Sequence, residues 1–445
     1  MTAHFDIAIV GAGIAGASLA YFLTRHGAGS IVLLEAEDTP GYHTTGRSAA
    51  FWEPTYGGAG VVPLSAASRA FFDAPPPGFT DRPLLSPRGA LHVAAPGKAG
   101  TLDVLAAGFA RFGVATCPID AGAMAARYPF VGGGWEAAGL LEPDCHDIDV
   151  AGLHAGFLAG ARRGGATLLT GARVTGLTRS GGAWHVATTG GDVTAATIVD
   201  AAGAWADELA VLAGAAPLGL TPLRRTMVVL DTDPPPPADL PVVFDAAGSF
   251  YFKPDAGRLW LSPHDEIADV PRDAAPEELD IAVAIDRFER ATTARVRRVE
   301  RSWAGLRTFS PDRNPVYGFD PRCPASSGAP DRAASASRPR RLQATSPRGC
   351  CSDCDRDRST PRPTRPAGSA DRAAVLHAAK TVRAVRSPAG GAPFFLIVRS
   401  VARPCRIFDP SSCDVCELTA PGCRRRVQSA PRDRAIRVRP TSVTR

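Results

Sequence analysis

Residues 5–35 read FDIAIVGAGIAGASLAYFLTRHGAGSIVLLE, and this stretch decides the fold. Phe5–Val10 is an apolar run of the length of one buried parallel strand. From Ala15 to Arg25 apolar side chains recur at the period of an α-helix, and Ile31–Leu34 is a second short apolar run. The order strand, helix, strand over this length predicts a βαβ unit with a parallel sheet.

Three glycines, Gly11, Gly13 and Gly16, stand between the first strand and the helix in the spacing G-x-G-x-x-G. Such glycines permit a tight turn, let the backbone approach a pyrophosphate, and let the helix pack closely on the strand. Glu35 follows the second strand, where a carboxylate can accept hydrogen bonds from ribose hydroxyls. The spacing alone is a weak signal, but with both strands, the helix and the acid it indicates a dinucleotide-binding site.

Charge and cysteine are distributed unevenly along the chain. The 445 residues carry a net charge of +6, yet the segment from Cys323 onward has 24 basic and 9 acidic residues, a net charge of +15, and the preceding part carries −9. Only Cys117 and Cys145 precede Cys323. Two separated cysteines suggest a reducing compartment, and there is no signal peptide or membrane-spanning apolar run. We therefore expect a cytoplasmic protein with no integral membrane segment.

Strands and helices alternate around the glycine motif, and a more strand-rich section follows near residues 220–308. This order predicts an α/β fold in which a doubly wound Rossmann-type domain is interleaved with a β-rich domain. The segment 323–445 has too little apolar periodicity to form a core, so we expect a disordered C-terminal tail. The Rossmann-type parts are expected at about 1–75, 150–215 and 300–322, and the β-rich parts at about 76–149 and 216–299.

The histidines are scattered singly and do not show the spacing of metal ligands. His43, His146 and His264 are therefore expected to be polar surface or loop residues, and no metal site is predicted. In the tail, Cys351-x-x-Cys354 and Cys413-x-x-Cys416 look like two halves of a zinc site, but they are too far apart for a compact zinc ribbon.

Six separated features, in this order, resemble the D-amino-acid oxidase-like family of FAD-dependent oxidoreductases. They are GAGIAGAS, then Glu35, then PGYHTTGRSAA, DAAGAWAD, SFYFKPDAG and WAGLRTFSPD. Among members of this family the chain looks most like the D-arginine dehydrogenases, which oxidise D-amino acids to imines. The resemblance extends from about Phe5 to Pro321, and it implies that the Rossmann-type domain binds FAD and the β-rich domain binds the substrate.

The loop after Glu35 bears on which cofactor the glycine motif binds. A nicotinamide dinucleotide is the alternative for the motif alone, and the hydroxyl-rich loop around Arg47, which suits a loop wrapping phosphates, favours FAD. The resemblance places Glu35 on the adenosine ribose, Gly11–Gly16 at the pyrophosphate, Thr45–Ser48 along the phosphates and flavin, and Val174 near the adenine. The residues expected to bind FAD are Gly11, Gly13, Ile14, Ala15, Gly16, Glu35, Ala36, Thr44, Thr45, Gly46, Arg47, Ser48, Ala50, Val174, Ala202, Gly203 and Trp205.

The resemblance also implies a reaction and the residues that carry it. A hydride passes from the substrate α-carbon to flavin N5, the imine is hydrolysed to a 2-oxo acid and ammonia, and oxygen or a quinone accepts the electrons. By resemblance Arg307 clamps the amino-acid carboxylate, Tyr251 helps hold it, Tyr56 lines the substrate side of the flavin, and Arg225 is a weaker match. From the residues alone, core packing of the tyrosines and a surface ion pair of Arg307 remain alternative interpretations.

Two positions depart from the D-arginine dehydrogenases. Ala90 stands where those enzymes carry an acid that holds the substrate guanidinium, and Phe51 stands where they have a histidine near the flavin loop. Without that acid an apolar pocket should prefer neutral or hydrophobic side chains, so D-arginine specificity is not expected. Glu53 is another acid of this region, but the sequence does not show whether it reaches the pocket.

Beyond Arg322 the resemblance stops, and the chain continues CPASSGAPDRAASASRPRRLQ. Members of the family continue with a segment like VPGFFW-x-AGQGGFGIQT and a helix, which cover the flavin. GC-rich codons for this tail, read with one base restored before Cys323, encode that segment. We therefore interpret the tail as the product of a one-base frameshift that impairs the enzyme.

Two other functional classes remain open at this stage. One is a secondary-amine oxidase of the sarcosine or glycine type. The other is a non-catalytic relic whose basic tail binds nucleic acid. An out-of-frame GC-rich gene also encodes excess Arg, Pro, Ala and Ser, so the basic tail is not evidence of nucleic-acid binding and we expect no nucleic-acid partner. The expected partner is a small amino-acid substrate, as the resemblance implies.

Overall fold

The fold was obtained as a computed structural model, which describes residues 2–320 and the strand formed by residues 394–398. The strands are β1 (Ala3–Val10), β2 (Ile31–Leu34), β3 (Phe51–Trp52), β4 (Leu85–Pro87), β5 (Ala90–Val93), β6 (Cys117–Asp120), β7 (Ala138–Glu142), β8 (His146–Ile148), β9 (Thr167–Leu169), β10 (Val174–Ser180), β11 (Ala183–Thr188), β12 (Val193–Asp200), β13 (Thr221–Asp233), β14 (Val242–Asp245), β15 (Tyr251–Asp255), β16 (Arg258–Ser262), β17 (Ile267–Ala268), β18 (Arg295–Phe309), β19 (Tyr317–Phe319) and β20 (Phe394–Val398).

Seven α-helices and three short 3₁₀ segments connect the described strands. The helices are α1 (Ile14–Arg25), α2 (Val62–Asp73), α3 (Gly100–Ala110), α4 (Ala121–Arg127), α5 (Val150–Arg163), α6 (Ala206–Leu212) and α7 (Glu278–Ala291), and the 3₁₀ segments are Gly58–Gly60, Trp135–Ala137 and Gly203–Trp205. No helix of the described part of the chain has the length and apolar character needed to cross a bilayer.

An eight-stranded sheet is built around β1, with the order β10-β11-β12-β1-β2-β9, and β19 and β20 extend it beside β12. The pairs β1–β2, β1–β12, β2–β9 and β12–β20 are parallel. Val10 lies opposite Leu34 on one side and Asp200 on the other, so the carboxyl ends of these three strands meet at one edge. This register brings the residues after β1, β2 and β12 together, as expected for a ligand site of an α/β sheet.

Both faces of the parallel sheet are covered, as the continuous apolar runs predict. Ile7 and Ile9 pack with α1 and α5 on one face, whereas the alternate residues Ala8 and Val10 pack with α6 and with Trp184 of β11 on the other. The predicted α/β architecture with a Rossmann-type unit is confirmed.

The second sheet has nine strands in the order β17-β13-β16-β15-β14-β5-β7-β6, with β18 also paired to β13. Successive side chains along its strands face two different environments, and residues 250–252 at the start of β15 are an example. Phe250 and Phe252 pack in a core with α4 and α7, while Tyr251 between them belongs to a separate cluster on the opposite face. That opposite face is the one that borders the cavity described below.

One expected domain boundary differs from the structure. The boundary between 299 and 300 falls inside β18, which stays paired with β13 from Arg295 to Phe309. Residues 300–309 therefore belong to the nine-stranded sheet and not to the Rossmann-type part. β13 is buried along most of its length, and β18 has its exposed residues in its first half and its buried residues in its second half.

The tail expected to be disordered lies almost entirely outside the described residues. Its described part, Phe394–Val398, forms β20, whose residues 394–397 pair in parallel with Thr197–Asp200 of β12. These five residues differ from the expected disorder because they are an apolar run of strand-favouring residues beside an available edge of β12.

Candidate active site

A cavity of about 670 Å³ is lined by residues from both sheets. Its volume lies in the range usual for small-molecule sites, about 300–1,000 Å³. One part is lined by the residues that follow β1, β2 and β12, and another by side chains of the nine-stranded sheet. All the residues predicted from the sequence to bind a cofactor line this cavity except Gly16 and Gly46.

The first and third glycines of the motif are required by the backbone geometry. Gly11 has φ +99°, and a Cβ atom there would lie 2.5 Å from the Ala201 carbonyl oxygen. A Cβ atom on Gly16 would lie 1.9 Å from the Gly11 carbonyl oxygen, so α1 can pack this close to β1 only with glycine. Gly16 thus has the packing role that the motif predicts.

The N-terminus of α1 faces the cavity, and a hydroxyl group reaches it. Ile14 N donates a hydrogen bond of 3.0 Å to Thr45 Oγ1, and Ile14 and Ala15 both line the cavity. Backbone N–H groups at a helix N-terminus favour anionic ligands. A pyrophosphate is the kind of group that this end can bind.

Glu35 is buried directly after β2, and its two oxygens have separate donors. Ala12 N donates to Oε2 at 2.9 Å and Glu37 N donates to Oε1 at 3.0 Å. A carboxylate can accept about four hydrogen bonds, so Glu35 can accept further hydrogen bonds from the hydroxyls of a ribose diol. Ala36 and Val174 line the adjoining wall. The donor set of this part of the cavity therefore fits a dinucleotide such as FAD.

The loop that contains Thr44–Ser48 and Ala50 is tied down by its own polar groups. Thr44 Oγ1 donates to the Leu306 carbonyl at 2.6 Å, Gly46 N donates to the Gly41 carbonyl at 2.8 Å, and Ala50 N donates to Ser48 Oγ at 3.1 Å. These bonds hold the loop in one shape against β18.

The guanidinium of Arg47 is held by backbone carbonyls and by an acidic side chain. It donates to the carbonyls of Ala274 and Ala304, both at 2.9 Å, and it forms an ion pair with Asp273. Trp303 Nε1 donates to the Arg47 carbonyl at 3.1 Å. Arg47 therefore fastens the loop to β18 while it lines the cavity.

The turn after β12 borders the cavity beside the glycine motif. Ala202, Gly203 and Trp205 all line the cavity, and Ala202 N donates to Asp200 Oδ1 at 3.1 Å. The Trp205 ring lies 4.6 Å from the ring of His43. His43 Nε2 lies 2.9 Å from Glu37 Oε1. His43, which the sequence suggested to be a polar surface or loop residue, therefore stands in the wall of the cavity together with Glu37.

The four residues predicted to hold a substrate line the cavity together. Arg307 Nη2 donates to the Tyr56 hydroxyl at 2.6 Å. Arg225 is buried on β13, where its Nε donates to the Asp265 carbonyl at 2.7 Å. Tyr251 is buried, and its hydroxyl donates to Met227 Sδ at 3.2 Å. Two arginines and two tyrosines from separate segments therefore border one space.

Positive charge exceeds negative charge around these arginines. Glu266 is shared by three guanidiniums, at 3.5 Å from Arg225, 3.9 Å from Arg307 and 2.6 Å from Arg313. Burial and the charge of Arg307 lower the pKa of Arg225. An anion placed between the two arginines would relieve that repulsion, and a carboxylate matches their planar donors.

His264 is a site residue that the sequence did not identify. It lines the cavity, its ring lies 5.5 Å from the Tyr251 ring, and its Nδ1 is 2.9 Å from the Gly248 carbonyl. Burial and the charges of Arg225 and Arg307 lower its pKa to about 2, so the ring stays neutral. No sequence signal marked it, because a single histidine without spacing partners is uninformative.

The structure also assembles a group of acids that the sequence did not predict. Glu53 and His92 line the cavity, and Glu142 lies beside them. One ligand atom of each residue lies within 4.8 Å of the others, an arrangement that could hold a metal ion, although no metal site was predicted. Ala90 is fully buried on β5, and Phe51 lines the cavity wall.

Curated proteins match parts of the chain. Dimethylglycine dehydrogenase of Mus musculus is 39% identical over 132 residues, which are 29% of this chain and 15% of that protein. Hydrogen cyanide synthase subunit HcnC of Pseudomonas aeruginosa is 29% identical over 186 residues, 41% of this chain and 43% of that protein. The chain thus spans about 15% of the length of the dimethylglycine dehydrogenases it matches.

Solved structures share the fold across most of the chain. Glycine oxidase from Geobacillus kaustophilus has a TM-score of 0.62 at 23% identity and covers 72% of this chain and 87% of its own. The amino acid oxidase NikD has a TM-score of 0.60 at 21% identity and covers 72% and 86%. The family model described as "FAD dependent oxidoreductase" matches residues 6–332. This chain belongs to that family, known as DAO, and its cofactor is FAD.

Proposed function

We propose that the protein oxidises the carbon–nitrogen bond at the α-carbon of an amino acid, with a D-amino acid as the first candidate substrate. The observation that supports this most is the placement of Arg307, Arg225, Tyr56 and Tyr251 around one part of a cavity whose other part is lined by the glycine motif. The fold neighbours include glycine and amino acid oxidases, which adds support for the substrate class. The preference for the D-enantiomer and the nearness to D-arginine dehydrogenases rest on the sequence motifs alone.

In this proposal FAD lies along the cavity from Val174 and Glu35, past the N-terminus of α1, to the residues of the nine-stranded sheet. Glu35 would hold the adenosine ribose, and the amides after Gly11 would face the pyrophosphate. The remaining part of FAD would be bordered by the turn at Ala202, Gly203 and Trp205 and by the loop with Thr44–Ser48 and Ala50. When bound, FAD supplies the acceptor for the hydride that leaves the substrate.

The protein's own residues bind and orient the substrate. Arg307 holds the carboxylate with a planar pair of donors, and Tyr56, which accepts from Arg307, keeps the guanidinium in position. Arg225 adds a second positive charge, and Tyr251 can offer its hydroxyl to the same carboxylate in place of Met227. His264, being neutral, adds no positive charge beside the two arginines, which share Glu266.

A second candidate is the oxidation of an N-methylated glycine. The specific observation in its favour is the local identity of 39% with dimethylglycine dehydrogenase. The carboxylate of such a substrate needs the same arginines, so the two candidates differ in what surrounds the nitrogen and the side chain.

The experiment that separates these candidates is a product assay. The FAD-loaded protein is incubated with D-amino acids, their L-enantiomers and N-methylglycine, with oxygen or a quinone as acceptor. Formation of 2-oxo acid and ammonia from D-amino acids supports the first candidate. Formaldehyde from N-methylglycine alone supports the second, and turnover of L-amino acids alone contradicts the proposed D-preference.

We also propose that the segment from Cys323 is read one base out of frame, which would impair binding of FAD. Its net charge of +15 and its excess of Arg and Pro support this, as does the family match, which ends at residue 332 of 445. Resequencing the DNA around the Cys323 codon tests it directly, since an unchanged reading frame would contradict the proposal.

A further inference from the structure

The wall of the cavity contains a group of titratable side chains that the proposed function does not use. Glu53, His92 and Glu142, which we name the Glu–His–Glu cluster, each bring one nitrogen or oxygen atom within 4.8 Å of the others. Their exposures are 5%, 3% and 0% in the order given. Burying two carboxyl groups and an imidazole is costly unless a partner compensates them, so the cluster requires an explanation.

The register of the nine-stranded sheet brings two of these residues together. Glu142 ends β7 opposite Ala90 of β5, and His92 stands two residues farther along β5. Directly opposed residues share a face of a sheet, and so do residues two apart on one strand, so Glu142 and His92 project to the same side. Because Ala90 is small, Glu142 can reach past it, and its Oε2 atom lies 3.7 Å from His92 Nε2.

Glu53 joins this pair from the segment after β3, and a threonine links the two carboxyl groups. The Thr55 hydroxyl lies 3.1 Å from Glu53 Oε1 and 3.3 Å from Glu142 Oε2. The His92 ring is stacked on the Phe244 ring, with 5.3 Å between the ring centres. The shared hydroxyl and the stacked ring therefore hold the side chains of the cluster in one arrangement.

Two polar atoms of the cluster have unused bonding capacity. Among the residues that the structure describes, His92 Nε2 and Glu142 Oε1 are buried without a hydrogen-bond partner. His92 Nε2 faces the Glu142 carboxyl group, but 3.7 Å is too long for a hydrogen bond. Buried polar atoms are usually satisfied, so these two atoms indicate a bound group. A metal ion is such a group, since it binds the lone pairs of a neutral imidazole and of carboxylates together.

The charge of the cluster also favours a divalent cation. In the described part of the chain neither Glu53 nor Glu142 forms an ion pair with a lysine or an arginine, and Lys253 of β15 pairs with Asp147 instead. Two carboxylates and a neutral imidazole carry a charge of −2, which one divalent ion balances. In the metal-free protein protons balance it, since burial raises the pKa of Glu53 to about 7 and that of Glu142 to about 8. Binding of a metal ion would release those protons to the solvent.

We propose that the Glu–His–Glu cluster binds a divalent transition-metal ion such as Zn²⁺, through His92 Nε2 and one oxygen each of Glu53 and Glu142. Zn²⁺ accepts imidazole and carboxylate ligands at distances of about 2.0–2.2 Å. Ligand atoms around a tetrahedral ion then lie about 3.4 Å apart, so the 3.7 Å between His92 and Glu142 needs little adjustment. The remaining separations, which stay within 4.8 Å, close by rotation of the Glu53 side chain.

The position of the cluster gives the ion an entry path and a free coordination position. Glu53 and His92 line the cavity, so an ion held by the cluster faces it. Zinc sites with three protein ligands and one open position typically bind water or a donor atom of another molecule there. The ion would also join β5 and β7 to the segment after β3. This site uses neither of the cavity arginines, so the inference does not depend on the proposed oxidation of an amino acid.

Metal binding is measured on the full chain with FAD added, after treatment with a chelator and return of Zn²⁺ or Co²⁺. The frame-restored chain, with one base inserted before the Cys323 codon, is used if the full chain is insoluble. We expect about one Zn²⁺ per chain to remain bound to the cluster through gel filtration. Bound Co²⁺ should show the visible absorption of a site with nitrogen and oxygen ligands. If a thiolate charge-transfer band accounts for all the bound cobalt, the ion belongs to cysteines such as Cys351 and Cys354, and the proposal fails.

His92→Gln is the variant that tests the ligand, and His185→Gln is the matched control, because His185 is an exposed histidine 3.5 Å from Asp192. His92→Gln should weaken zinc binding at least about a hundredfold, since loss of a group that only orients a ligand already costs about 10–100-fold. His185→Gln should leave the affinity unchanged. Zinc should raise the unfolding temperature of the unmodified and control chains but not that of His92→Gln. Equal zinc affinity in all three chains would overturn the proposal.

X-ray absorption of the zinc-loaded, unmodified chain decides the question if His92→Gln does not fold. We expect zinc coordinated by one imidazole and by carboxylate oxygens. A zinc ion surrounded by oxygens alone would be an adventitious ion at the surface, and failure to retain zinc through gel filtration would show that protons alone neutralise the cluster. Either result would overturn the inference, and neither would affect the proposed function, which is tested by turnover.

Discussion

Among single residues, Arg307 carries the largest part of the proposed chemistry. It lies on β18, mostly buried, with one donor on Tyr56 and with Arg225 close enough for its charge to lower the pKa of that neighbour. A planar guanidinium binds a carboxylate through two parallel hydrogen bonds, whereas an ammonium group offers a single point of charge. The two side chains are therefore not equivalent at this position.

We predict that Arg307→Lys lowers kcat/KM for amino-acid oxidation by the equivalent of about 2–4 kcal/mol, because one arm of a buried carboxylate clamp is lost. Steady-state kinetics of the frame-restored protein measure it. Arg301→Lys is the matched control, since Arg301 lies on the same strand, is exposed and does not line the cavity. Equal kcat/KM values for Arg307→Lys and the unmodified protein would remove Arg307 from the site.

Glu142 gives a prediction for stability. Its pKa is raised from 4.5 to about 8 by burial, so between these values the unfolded chain releases a proton that the folded protein keeps. The folded state therefore loses stability through this group as the pH rises across that window. The free energy of unfolding of Glu142→Gln minus that of the unmodified protein should therefore be larger at pH 8 than at pH 5, by on the order of a few kcal/mol.

Denaturant unfolding of both proteins at several pH values checks this prediction. The difference between the two free energies of unfolding cancels the groups that titrate alike in both proteins, and it contains Glu142 together with its effect on the pKa of Glu53. The lowered pKa of His92 acts on stability in the opposite direction. A difference that stays constant from pH 5 to pH 8 would show that Glu142 titrates normally in the folded protein.

The site residues differ in how far the sequence could predict them. Gly11 and Glu35 follow from a local pattern, since the strand, the turn and the acid are adjacent in the chain. Arg307 and Tyr56 are 251 residues apart, and only the resemblance to a family suggested that they act in one site. Glu53, His92 and His264 carry no local pattern at all, because chain topology alone brings them to the cavity.

Among the secondary-structure elements, β1 and α1 set the geometry of the nucleotide end. The close approach of α1 to β1 depends on Gly16, where a Cβ atom would collide with a backbone oxygen that cannot move independently. Gly108 in α3 is the matched contrast, since a Cβ atom there meets nothing within 4 Å.

Gly16→Ala should therefore destabilise the protein by about 3 kcal/mol or more and abolish FAD retention, since the helix must move away from the strand. Gly108→Ala should instead be neutral or stabilising by up to about 1 kcal/mol, because alanine favours the helix. Thermal unfolding and the FAD content of the purified proteins measure both effects. Retention of FAD at the usual level in Gly16→Ala would contradict the assigned role of this contact.

In the molecule as a whole, the parallel sheet was predictable and the limits of the second sheet were not. Apolar runs such as Phe5–Val10 mark strands buried on both faces, so the sequence indicates them directly. The pairing of β18 with β13 joins residues far apart in the chain, and its register depends on which faces the surrounding elements cover. For that reason the expected boundary at residue 299 fell inside a strand.

The tail gives a prediction for the whole chain. If residues 323–445 replace a segment that covers the flavin, the chain as printed should bind FAD weakly and be poorly soluble. Inserting one base before the Cys323 codon should restore a folded protein with about one FAD per chain, measured by absorbance after gel filtration. Stoichiometric FAD and turnover of D-amino acids in the unedited chain would contradict this consequence of the frameshift.

The most direct test of the central claim is an anaerobic titration of the FAD-bound protein with D-amino acids, followed by the flavin absorbance. We predict that the oxidised flavin band disappears with one equivalent of substrate, and that Arg307→Lys needs a much higher substrate concentration to give the same bleaching. A flavin that stays oxidised with every D-amino acid, L-amino acid and N-methylglycine would contradict the assignment of this cavity to amino-acid oxidation.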